Sequence, residues 1–237
     1  MKYIIIIMPL IGTIIGTLSV LFIKKNNKNL IKKAFGFSAG VMMVASFLSL
    51  INPSINMSEN WFPPIFGILL GVFTILSLDL KINKNNQNNA LIILIALILH
   101  NIPEGVATGV GLAGSMTNVI SLKSAFTLSL AITLHNIPEG IIVGLLNVNN
   151  KKNTIKYGII SGIVEPISAI ITSLIALHIT NLIPYFFAFA GGAMIYVIVD
   201  ELIPESKVKT SKQGLISFMI GFIVMLLLLQ FSQGTRK

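Results

Sequence analysis

Six consecutive residues, His100-Asn101-Ile102-Pro103-Glu104-Gly105, recur unchanged 35 positions later as His135-Asn136-Ile137-Pro138-Glu139-Gly140. In a helix, His and Glu four residues apart share one face, and the Asn three residues before the Glu lies beside that face. Each copy therefore presents an imidazole nitrogen, an amide oxygen and a carboxylate to one side. Two antiparallel copies facing each other make a cage of two His, two Asn and two Glu. Such mixed nitrogen and oxygen donors suit a divalent transition ion, whereas Mg²⁺ and Ca²⁺ prefer all-oxygen shells. The chain contains no Cys, so a metal site must draw on His, Glu, Asp, Asn or Met.

Pro103 and Pro138 add backbone chemistry. Lacking an N–H, they leave the carbonyls of Leu99 and Leu134 without a helical partner and predict a bend there. A carbonyl freed at membrane depth is tolerated where protein buries it or a water-filled cavity accepts it. Glu165-Pro166 and Pro204-Glu205 repeat the pairing of an acid with a proline.

The elements that must position these residues are membrane helices. Of 237 residues, 54% are hydrophobic and only 11% charged, with a mean hydropathy of +0.87. A soluble domain carries about 25% charged residues, so a soluble enzyme and a disordered chain are both excluded. About 20 apolar residues cross a bilayer as a helix. On that measure eight spans are predicted, roughly 3–23, 33–51, 62–81, 90–112, 121–146, 157–179, 184–204 and 214–231. The expected fold is all-α and polytopic: one domain over 1–237, a compact bundle with Pro-bent fourth and fifth helices. Six Gly-xxx-Gly pairs within these spans imply close helix packing.

A net charge of +9 is shared with nucleic-acid binders, but here the basic residues cluster between apolar runs. Thirteen lysines fall in the loops that join odd to even spans, from Lys24 to Lys212, against four basic residues on the opposite side. The positive-inside rule then puts those loops in the cytoplasm and both termini outside a cell membrane. Nucleic acid is not an expected partner; the lipid bilayer and divalent ions are.

Of the eight acids, Glu104, Glu139, Glu165, Asp200, Glu201 and Glu205 lie in spans or just past a span end. An acid at the bilayer centre costs about 2.5–3.5 kcal/mol on insertion scales, so each needs a reason. Lys123, the one basic residue in the spans concerned, is about four helical turns from Glu139. The carboxylates must therefore be protonated, solvated, or neutralised by a bound cation. Met42 in the second span fills a gap between helices, and its thioether is also a soft donor. His178 reads as an interfacial residue.

These features closely resemble the ZIP (Zrt-/Irt-like) family of divalent metal transporters, in particular its bacterial ZupT- and GufA-like branches. The doubled His-Asn-x-Pro-Glu-Gly motif carries most of the resemblance. Ala39-Gly40-Val41-Met42, Glu165-Pro166, Gly192-Ala193-Met194-Ile195-Tyr196 and Asp200-Glu201-Leu202-Ile203-Pro204-Glu205 add to it. The resemblance implies a two-metal centre. The first ion would take His100, Glu104, His135 and Glu139, with Met42. The second would take Asn101, Asn136 and Glu165, with Glu104 and Glu139 bridging. Asp200 and Glu201 match acids of a cytoplasmic exit route. Some members carry Gln-Asp where this chain has His135-Asn136, which gives the second subsite here one fewer negative charge. The loop before the fourth span holds no His, unlike the His-rich loop of many relatives.

The implied activity is uptake of Zn²⁺, with Fe²⁺, Mn²⁺, Co²⁺ and Cd²⁺ as further candidate substrates and no organic cofactor. The resemblance and the Gly-rich faces also imply a homodimer. One alternative is an intramembrane metal-dependent hydrolase whose zinc activates water; the chain has no His-Glu-x-x-His pair for it. Another is a carrier of protons or organic substrates that uses the same acids.

Overall fold

The computed structural model describes residues 3–22, 28–83, 89–145, 150–207 and 212–233. Lys24, Lys25, Lys84, Lys209 and the charged residues at both chain ends, which enter the charge asymmetry, lie outside the described residues.

Eight helical rods account for the described chain, and no strand occurs in it. Helix α1 is Ile4–Ser19, extended by a 3₁₀ turn at Val20–Phe22. Helix α2 is Lys28–Val44, continued by a π-helical stretch at Ala45–Ile51 and a last segment, Asn52–Met57. Helices α3, α4, α5 and α6 are Phe62–Asn83, Asn89–Met116, Leu122–Leu145 and Lys151–His178. Helix α7 is Ile183–Val197, continued by a π-helical stretch at Ile198–Leu202 and by Ile203–Ser206. Helix α8 is Gln213–Gln233.

Seven of the rods are long and apolar enough to cross a membrane. The remaining one, α4, has 28 residues and is about 42 Å long, which exceeds a hydrocarbon core of about 30 Å. The chain is thus an all-α, polytopic membrane protein. Some helix ends differ from those of the apolar runs. Helix α6 starts at Lys151, where the side chain of Asn150 accepts the N–H of Asn153 at 3.2 Å. A polar cap ends a helix wherever its geometry allows, whether or not the residues inside are apolar.

The two π-helical stretches are what hydropathy could not have indicated. Each inserts a residue into the helical register, so the N–H of Asn52 reaches back to Phe47 and that of Ile203 to Ile198. The second stretch contains Asp200 and Glu201 and turns the latter toward the bundle interior.

Four helix pairs pack most extensively: α1 with α5, α4 with α6, α3 with α7, and α2 with α8. They form two sets, α1/α4/α5/α6 and α2/α3/α7/α8, which meet mainly where α4 touches α7 and α2 touches α5. Glycine sets each close approach. A Cβ at Gly71 would strike the Phe189 carbonyl and stand 2.8 Å from the Ala193 nitrogen across the α3–α7 seam. A Cβ at Gly105 would reach the Glu165 carbonyl and come 2.5 Å from the Ser168 Cβ, so the motif's own glycine lets α6 lie against α4.

Gly71→Val should therefore destabilise the protein by about 1–3 kcal/mol through overpacking. Gly111→Ala should cost far less, because the nearest atom to its added methyl is the flexible end of Leu128, at 3.3 Å. Thermal unfolding of the purified variants measures the difference; equal losses would contradict the close-packing account.

Candidate metal centre

His100 and Glu104 lie one turn apart on α4, and their side chains converge with Glu139 of α5. The His100 Nε2 stands 3.6 Å from Glu104 Oε1 and 3.4 Å from Glu139 Oε1. Ligand atoms of these three residues all lie within 4.8 Å of one another. All three are buried, Glu104 with 0% exposure and Glu139 with 3%. These three are among the six residues of the cage expected from the duplicated motif.

The second histidine behaves differently from the first. The His135 Nδ1 is 3.1 Å from the carbonyl of Ala131, one turn back on its own helix. If Nδ1–H donates there, Nε2 carries a lone pair, yet it stands 2.8 Å from Glu104 Oε1. Two acceptors cannot approach so closely without a shared proton. His135 therefore joins the cluster as the partner of Glu104, whereas His100 faces both carboxylates.

The asparagines tie the cluster to α6 and α1. The Asn136 amide donates to Glu165 Oε2 at 2.7 Å and to the Pro9 carbonyl at 3.3 Å. The Asn101 amide donates to the carbonyl and hydroxyl of Ser161, at 2.7 and 3.2 Å. These bonds fix the amide planes. They leave the buried Asn136 Oδ1, Glu165 Oε1, Glu104 Oε2, Glu139 Oε1 and both His100 nitrogens with no hydrogen-bond partner. A buried unsatisfied polar atom costs about 1–3 kcal/mol, and a charged one more. Among the described residues, no lysine or arginine lies against Glu104, Glu139 or Glu165. Such a concentration of unpaired donors is what a divalent cation would satisfy.

The other residues singled out in the sequence lie around or away from the cluster. Glu201 is half-buried, and its Oε2 is 4.0 Å from His100 Nδ1, so it stands behind the imidazole. Asp200, its neighbour, is exposed. Met42 is fully buried in the main apolar core, to which Val106, Val197 and Ile198 also belong. His178 is exposed and its Nδ1 lies 2.7 Å from the Leu174 carbonyl, apart from the cluster.

Sequence reasoning missed Ser161, Ser38, Ala131 and Pro9. Ser161 sits four residues before Glu165 and Ala131 four before His135, so helical periodicity could have flagged both. Ser38, which donates to the His135 carbonyl at 3.1 Å from the other helix set, had no such signal. That bond falls in the turn that Pro138 loosens.

The profile of the ZIP Zinc transporter family matches residues 82–229, a stretch holding both motif copies, Glu165, Asp200 and Glu201. The zinc transporter ZIP11 of Xenopus tropicalis is 43% identical over 141 residues, covering 57% of this chain and 42% of that protein. The zinc transporter GufA of Myxococcus xanthus is 38% identical over 143 residues, 60% of this chain and 55% of that protein. The matches thus span about half the length of these relatives or less. The zinc transporter ZupT of Streptococcus mutans is 29% identical over 250 residues, covering 92% of this chain and 93% of its own. With a family profile that covers well over half of it, and with both motif copies inside the matched stretch, this chain belongs to the ZIP zinc transporter family.

Proposed function

We propose that the chain carries Zn²⁺ from outside to the cytoplasm, as a single transport domain over residues 1–237 in a cell membrane, with both termini outside. The observation that supports this most directly is the convergence of one imidazole nitrogen and a carboxylate from each of two helices within 4.8 Å. Zinc binds nitrogen and oxygen at about 2.0–2.2 Å, so donors on one ion stand up to about 4 Å apart. Closing the observed cluster onto an ion needs less than about 1 Å of movement per donor. Fe²⁺, Mn²⁺, Co²⁺ and Cd²⁺ can use the same donors, and affinity alone does not rank them as substrates.

In this reading His100, Glu104 and Glu139 hold the first ion, with His135 as the residue that orients Glu104 and Met42 as an apolar wall whose sulfur is a reserve donor. A second ion would use Glu165 Oε1 and the oxygens of Asn136 and Asn101, bridged by Glu104 and Glu139. An ion that takes Glu104 Oε1 displaces the proton shared with His135, so binding releases a proton. Rocking of one helix set against the other then exposes the ion to Glu201 and Asp200 on the way out. The hydrolase alternative is set aside: the family is one of transporters, and a duplicated, two-sided site suits passage.

In proteoliposomes, His100→Ala and Glu139→Ala should each lower zinc uptake on the order of ten-fold or more. Near-normal uptake by both would remove the proposed cluster. Asn136→Asp tests the second subsite. Without metal it sets a carboxylate against Glu165 and should lower stability by about 1–3 kcal/mol. Added zinc should then raise its melting temperature more than that of the unmodified protein, because binding to the folded state is stabilising. An Asn136→Asp protein that is as stable without metal and gains nothing extra from zinc would argue against a second ion.

A further inference from the structure

We propose that the corner where α7 ends and α8 begins binds an anionic phospholipid, its phosphate held between Lys207 and Lys212. A groove of about 370 Å³ opens there, within the range of small-ligand pockets. Ile203, Ser206, Leu215 and Phe218 line it together with the two lysines. This inference does not depend on which ion is carried, but it takes the membrane orientation from the proposed function.

Charge and shape select the occupant together. Both lysines are exposed, and neither ammonium has a side-chain partner among the described residues. The neighbouring acid, Glu205, is already engaged by Lys32 at 3.3 Å. Two unneutralised cations therefore flank an apolar floor. A soluble anion would need only the lysines and an acyl chain only the floor, whereas a phospholipid uses both. The surface continues into the bilayer, because Leu215, Ile216, Met219 and Ile220 on α8 are all exposed. The start of α8 adds the positive end of a helix dipole to the same corner.

The groove is also pre-formed. A Cβ at Gly214 would strike the Ser206 carbonyl, so the end of α7 and the start of α8 are in direct backbone contact. A fixed cleft loses little freedom when it is filled. By the positive-inside asymmetry this corner faces the cytoplasmic leaflet, where anionic lipids concentrate.

The test is native mass spectrometry of the full chain, taken from membranes of mixed phosphatidylglycerol and phosphatidylcholine. The unmodified protein should retain phosphatidylglycerol in preference. A Lys207→Gln, Lys212→Gln double variant should lose that preference by about ten- to thirty-fold, from the usual contribution of two lysines near a membrane surface. A Lys207→Arg, Lys212→Arg protein should keep it, which guards against a folding defect. So should Lys151→Gln, Lys152→Gln, which removes a basic pair at the start of α6. Undiminished retention in the Lys207/Lys212 glutamine variant would overturn the proposal, as would equal loss in the Lys151/Lys152 variant. Finding a second copy of the chain, in place of lipid, as the species that this variant releases would overturn it as well.

Discussion

Three carboxylates, those of Glu104, Glu139 and Glu165, are buried among membrane helices with no lysine or arginine against them among the described residues. In a low-dielectric interior their mutual repulsion is screened little, and each unpaired oxygen carries a desolvation cost. Most of the fold around them can be understood as the means of keeping them together in spite of that. Two of them are partly offset, each by a different device: a proton shared with His135 for Glu104 and an amide N–H from Asn136 for Glu165, whereas Glu139 faces the His100 imidazole at 3.4 Å without a hydrogen bond. A buried oxygen of each of the three stays unsatisfied.

The glycines supply the proximity. Gly105 follows Glu104 directly and lets α6 lie against α4, which brings Ser161 within reach of Asn101. Gly140 follows Glu139 and lets α1 lie against α5, where Thr17 donates to the Gly140 carbonyl at 3.2 Å. The two motif copies therefore serve different neighbours although their residues are identical. One histidine faces both acids; the other is tied to its own backbone and to one acid. Identical sequence yields an asymmetric site because Asn101 meets Ser161 of α6, whereas Asn136 meets both Glu165 of α6 and the Pro9 carbonyl of α1.

Much of this was legible in the residues. The periodicity of His and Glu placed His100 and Glu104 on one face, and the duplication predicted that Glu139 would meet them. The glycine spacing predicted the tight seams. The division of labour between His100 and His135 was not legible, since it depends on the Ala131 carbonyl and on which side Glu104 approaches. Nor was the position of Glu201, because the π-helical stretch at Ile198–Leu202 shifts its register by a residue that no hydropathy pattern encodes. Contacts such as Ser38 to the His135 carbonyl join segments almost a hundred residues apart, and local sequence carries no record of them.

The asymmetry bears on how a membrane site can release what it binds. Structural zinc sites close four protein donors around the ion and hold it, whereas sites that exchange ligands keep one position open. With His135 committed to Glu104, the proposed first site offers three strong donors rather than four. The far nitrogen of His100 stands 4.0 Å from Glu201. An imidazole with one nitrogen toward the cluster and the other toward an acid on the opposite helix set lies between the two environments that the proposed rocking would move apart. In the proposed cycle, three such donors would replace an ion's water while leaving a position at which the next carboxylate could compete for it.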